Sequence, residues 1–243
     1  MKSLESDLYS FKKISPFLVT VFIYLSGLAT ALILWGYHES FLFLNTDKIV
    51  WLDQPMFIIT HLGDSLILVS ILSLLLINKK PEVVISLIVV VLITGLTGQL
   101  LKSYAFEGWD RPLRHFKESP IVHTLPFYRL FHNSFPSGHS ITAMSAFTTL
   151  VYGLKPGKNY QVGIALIACL VSYSRIYLGV HFPGDVLAGS LLGILLTLLI
   201  IKIVFPFSCR LNIKKPVRVA IFLLALGSLI AGTWLLRVYY PLI

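Results

Sequence analysis

An all-α, polytopic transmembrane helical bundle is the fold class this sequence predicts, with six core spans and a seventh, C-terminal one. Three observations carry that reading. Apolar residues make up 56% of the 243 and charged residues only 13%, with a mean hydropathy of +0.82, which is more apolar surface than a soluble core can bury. The apolar runs are separated by short turns rich in Lys and Arg, the pattern of membrane loops. The runs do not alternate apolar and polar residues, as β-barrel strands would over about ten positions. The chain therefore reads as one integral membrane domain, 1–243.

The first span is the uncharged run 14–37. An Ala29-x-Ala31 pattern lies inside it, but the run continues through Leu34, Trp35 and Tyr37, so it reads as an uncleaved helix of about the ~20 residues a span needs. In the mixed stretch 41–62, Asp47, Lys48, Asp53 and His61 interrupt apolar residues; an interfacial helix with Trp51 at headgroup level is expected. Asp64 is placed to cap a second span over 65–77. A basic turn, Asn78 to Glu82, leads to a third span, 83–101, closed by Lys102. The long polar loop 103–135 follows, and then a fourth span, 138–153. A second basic turn with Lys155 and Lys158 precedes the fifth, 161–173. The sixth is 186–204, and after the basic stretch 208–218 the seventh is 219–236.

If the spans alternate in direction, Lys2, Lys12, Lys13, Lys79, Lys80, Lys155, Lys158, Arg210, Lys214, Lys215 and Arg218 fall on one side. This set is short and flanks the spans, which marks it as cytoplasmic. The net charge of +9 is then membrane topology, and a nucleic-acid partner is not expected. Cys169 and Cys209 lack metal-ligand spacing and read as free thiols.

Two polar clusters bracket the fourth and fifth spans. In the first, Pro136-Ser137-Gly138-His139 stands directly before an apolar run. Ser137 can cap the helix, and Gly138 lets backbone approach closely. The first amides of a helix are free donors at a positive dipole end, which suits an anion. His139, in that first turn, is placed to donate a proton. A plain capped span with an interfacial histidine accounts for the tetrad equally well. The second cluster adds Arg175, His181 and Asp185. Arginine offers a planar fork for phosphate oxygens. A histidine with an aspartate four residues on is the pairing that fixes one tautomer and leaves the other ring nitrogen nucleophilic. Pro183-Gly184 separates them, so they must meet across a turn. The alternative is interfacial Arg and His with a helix cap.

Pro-Ser-Gly-His, then Ser174-Arg175-x5-His181-x3-Asp185, with an upstream Lys102 and Arg111-Pro112, resembles the type 2 phosphatidic acid phosphatase (PAP2) superfamily over about 100–200. Eight residues, 103–110, separate Lys102 from Arg111 where the family usually has six. The resemblance implies that Lys102, Arg111, Arg175, Ser137 and the Gly138 amide hold phosphate. It implies His181 as nucleophile, Asp185 as its orienting partner and His139 as proton donor to the leaving oxygen, with neither metal nor cofactor. The expected activity is hydrolysis of a lipid phosphate or diphosphate by an enzyme in a bacterial inner membrane, with its site facing outward. A phosphotransferase using the same intermediate is the alternative enzyme, and a non-catalytic lipid-binding or transport protein is the other class. The latter would need no nucleophile, acid and orienting carboxylate together.

Overall fold

With no water in the hydrocarbon layer, each backbone amide must pair within its own helix or across a closed barrel. Among the described residues of the computed structural model, 11–45 and 49–239, the chain is helix and turn with no strand. Lys2 and the Asp47-Lys48 interruption lie outside those residues. The helices are α1 (Ser15–Asn45), α2 (Val50–Thr60), α3 (Ser65–Leu76), α4 (Pro81–Leu100), the short α5 (Pro112–His115), α6 (Gly138–Leu154), α7 (Lys158–Tyr177), α8 (Pro183–Arg210) and α9 (Lys215–Tyr239).

Five segments are long and apolar enough to cross a membrane: Lys12–Asn45, Pro81–Ala105, Lys158–Tyr177, Pro183–Arg210 and Lys215–Val238. A sixth is reached if α2 and α3 count as one span broken by a 75° bend. The stretch expected as a single interfacial helix over 41–62 is thus divided. Its first residues prolong α1 past a kink at Gly36 (φ 76), a backbone angle that suits glycine. Its later part is α2, bent onto α3 at Asp64, whose Oδ1 accepts the amides of Leu66 (2.9 Å) and Ile67 (3.3 Å) as the expected cap.

The centre of the bundle is α6, the expected fourth span. It has 17 residues, and every residue from Ser140 to Tyr152 is buried, enclosed by α4, α7 and α8. Protein neighbours explain its composition. Small and hydroxyl residues let membrane helices approach closely, and a side chain at Gly189 of α8 would collide with the backbone of Ser137. The Ser145 hydroxyl donates to the Gly193 carbonyl across that contact at 3.3 Å.

The two ends of the bundle differ in chemistry. At one, the Gln161 amide donates to the Lys13 carbonyl (2.9 Å), Ser86 meets Ser208 (3.1 Å), and Cys209 lies within electrostatic reach of Glu82, Lys155 and Lys80. The other end gathers both polar motifs and the 103–135 loop.

Candidate active site

His181 sits in the turn between α7 and α8. Helix α7 ends at Tyr177, Gly179 takes a positive φ of 71, and the amide of His181 donates back to the Arg175 carbonyl at 3.2 Å. Pro183 starts α8, where its missing N–H costs nothing, and Asp185 follows in the first turn. The pair meets across the turn as expected: His181 Nδ1 is 3.2 Å from Asp185 Oδ2, and both residues are buried.

On the other edge of the ring, Arg111 Nη1 is 3.2 Å from His181 Nε2. A guanidinium has donors only, so Nε2 is the bare acceptor and the ring proton is on Nδ1, facing the aspartate. Burial, then Arg111, Arg175 and Lys102, hold His181 well below the ordinary imidazole range, so the ring is neutral with Nε2 directed at the cations.

Arg111 is aimed by backbone carbonyls of its own loop and of the α7–α8 turn. Its Nε donates to the His132 carbonyl (2.7 Å) and its Nη1 to the Val180 carbonyl (2.8 Å). Arg175 is 1% exposed and spends Nη1 on the Thr60 hydroxyl (2.7 Å) and the Tyr128 hydroxyl (2.6 Å). Its Nε is buried with no hydrogen-bond partner among the described residues. A buried donor left unpaired costs roughly 1–3 kcal/mol, and a bound anion would satisfy it.

Lys102 lies in a π-helical turn, Leu101–Ala105, that ends α4. Such a turn takes in more residues than a regular one and accommodates part of the longer 103–110 connection. Lys102 reaches the cluster: it interacts electrostatically with Arg111, Asp185 and Arg175 and lines a cavity of about 370 Å³ together with Gly138 and His139. Ser137 occupies the N-cap position of α6, but its side chain makes no capping bond. It accepts instead from the Ser140 hydroxyl at 3.0 Å, which leaves its own proton available. His139, half-buried, faces the turn at Gly63.

Sequence reasoning missed the residues that hold Asp185. Tyr37 donates to Oδ1, Ser134 donates to Oδ2, and the Phe182 amide donates to Oδ2 at 3.0 Å. Tyr37 follows the Gly36 kink, and Ser134 stands just before the Pro-Ser-Gly-His motif; a glycine inside an apolar run was the one available signal. Thr60 and Tyr128, the anchors of Arg175, carried none. Other loop groups pair among themselves or with neighbouring helices: His123 pairs with Asp53 (2.8 Å), His115 stacks on His38, and Arg114 pairs with Asp110 (3.3 Å). Both cysteines are free, Cys169 buried and Cys209 exposed.

A family model described as the PAP2 superfamily matches residues 83–209. Phosphatidylglycerophosphatase B of Bacillus subtilis is 35% identical over 163 residues, covering 62% of this chain and 74% of that protein. An undecaprenyl-diphosphatase of Sulfolobus acidocaldarius is 31% identical over 166 residues, covering 68% and 77%. The crystal structure of Aquifex aeolicus LpxE is similar with a TM-score of 0.61 at 30% identity, covering 68% of this chain and 94% of that one.

Proposed function

Since the chain belongs to the PAP2 superfamily of membrane phosphatases, we propose that it hydrolyses a lipid phosphate or diphosphate through a phosphohistidine on His181. The observation that carries this is the orientation of the ring, Nδ1 on Asp185 and Nε2 on Arg111. Nε2 attacks phosphorus as the bond to the lipid oxygen breaks, and His139 gives that oxygen its proton. Asp185 balances the positive charge on the phosphorylated ring. Water, deprotonated by His139, then displaces phosphate and restores both histidines. Arg111, Arg175, Lys102, the Ser137 hydroxyl and the Gly138 amide hold the phosphoryl oxygens as charge builds in the transition state.

Substrate classes that fit are undecaprenyl diphosphate, phosphatidylglycerol phosphate, phosphatidic acid and the phosphates of lipid A. Phosphate release by the purified protein from a panel of these four, with His181→Ala as control, tests the reading. Release from none of them contradicts it.

Tyr37 and Ser134 are positioning residues in this scheme, acting through Asp185. Tyr37→Phe and Ser134→Ala are each expected to lower kcat about tenfold, one charge-assisted hydrogen bond's worth, with KM unchanged. Equal kcat in variant and wild type, or an effect confined to KM, would show that the clamp on Asp185 is not used in the reaction.

The basic turns lie at the end of the bundle opposite the site, which supports a cytoplasmic basic end and a site facing the periplasm or exterior of a bacterial inner membrane. Cys209 reports on this directly, being the exposed thiol at the basic end. A membrane-impermeant thiol reagent should modify Cys209 in inverted vesicles and not in intact cells. The opposite pattern reverses the orientation.

A further inference from the structure

Helix α9 lies outside the residues that match the family model, which end at 209. Its principal partner is α3, and only 11% of its most apolar stretch is buried. Ile221, Leu224, Ala225 and Ser228 follow the spacing that places residues on one helix face. That face closes a cavity of about 250 Å³ against α3 and α4, lined almost wholly by apolar surface.

This cavity is not isolated. It shares Ser65, Val91 and Leu92 with the neighbouring cavity of about 370 Å³ that contains Lys102, Gly138 and His139. Joined along these residues they would make one track, with Lys102 at the site end and apolar surface where α9 forms the wall. On α4 the track runs from Gln99 to Ile88, about 16 Å at the helical rise of about 1.5 Å per residue. That is close to half of the ~30 Å hydrocarbon layer, the depth of a single leaflet. A phosphate held by Lys102 and Arg111 would have its hydrocarbon chain leave along this track.

Building on the lipid phosphatase reading above, we propose that α9 is the outer wall of a site for the substrate's hydrocarbon chain and sets the chain length the enzyme prefers. Ser228 stands nearer the site end of the track and Ile221 nearer its floor, because α9 runs from the basic end toward the site. A bulky side chain should therefore shorten the track by an amount that depends on its position.

The experiment is a chain-length profile of kcat/KM, from dihexanoyl to dipalmitoyl phosphatidic acid in detergent, for the wild type, Ser228→Trp, Ile221→Trp and Leu223→Trp. Leu223 is exposed on the opposite face of α9 and serves as the control. In Ser228→Trp the ratio of long-chain to short-chain kcat/KM should fall at least about tenfold, the loss of about two buried methylenes. Ile221→Trp should lower the ratio only for the longest chains, and Leu223→Trp should keep the wild-type ratio. An unchanged profile in both groove variants overturns the proposal, as does an equal loss at every chain length. A wild type that hydrolyses no phosphatidic acid of any length but releases phosphate from another lipid of the panel moves the same profile to that lipid. Hydrolysis of no lipid phosphate at all defeats the function reading itself and is distinguishable from either outcome.

Discussion

Replacing His181 by alanine is expected to lower lipid phosphate hydrolysis by about ten-thousandfold or more, the scale on which enzymes lose activity with their nucleophile. The reason lies in the tautomer. Nδ1 is held on Asp185 at 3.2 Å and Nε2 faces Arg111, so the unprotonated nitrogen is directed at the cations that would hold the phosphate. His139 is close by, but it faces the cavity with Lys102, and among the described residues no carboxylate is paired with it to stabilise a phosphorylated ring. The variant should still insert and bind lipid, because His181 leaves a small hole at the end of the bundle and not in its core. Hydrolysis within tenfold of wild type would contradict the role. Retained binding with no hydrolysis would also separate this enzyme from a carrier, whose transport would survive the change.

The second large effect is expected at Arg175. Arg175→Lys keeps the charge but removes the planar fork, and it should cost roughly a hundred- to thousandfold in kcat, comparable to losing one oxyanion-hole donor. Two of the guanidinium's bonds, to Thr60 and Tyr128, fix its plane, while its buried Nε has no partner among the described residues. Lysine has neither the fixed plane nor the donor at that place. Measured steady-state rates on a lipid phosphate decide this. A lysine variant with wild-type kcat would mean that Arg175 acts as a point charge only, and that its orphaned Nε does not meet the substrate.

Much of this was legible in the sequence, and the reasons differ by element. Spans α4, α7 and α8 announced themselves as long uncharged runs. Their polar ends were legible because His181, Asp185, Ser137 and His139 sit in dense polar clusters where apolar runs stop. The broken pair α2–α3 was not legible. Its bend at Asp64 depends on a cap and on packing over α6, and the polar residues of 41–62 look the same in a helix lying on the membrane. Helix α6 was expected as a span, and its enclosure by protein is something composition hints at through its serines and threonines but cannot decide. Tyr37 and Ser134 escaped notice for a related reason. They reach Asp185 from 148 and 51 residues away, and a single tyrosine or serine carries no pattern. Lys102 shows the reverse case: two residues more than the family's usual spacing separate it from Arg111, and the lysine, in a π-helical turn, still lies within electrostatic reach of the cluster.

A covalent phosphoryl-enzyme at His181 is the central step of the proposed mechanism, and one measurement addresses it most directly. A lipid phosphate labelled at phosphorus is mixed with excess wild-type enzyme, quenched within a single turnover, and the protein-bound label is mapped by peptide. The predicted result is an alkali-stable, acid-labile phosphate on His181 that forms before free phosphate appears and decays as it is released. Complete release of labelled phosphate with no label on His181 at any time would mean that water attacks directly and would contradict the mechanism.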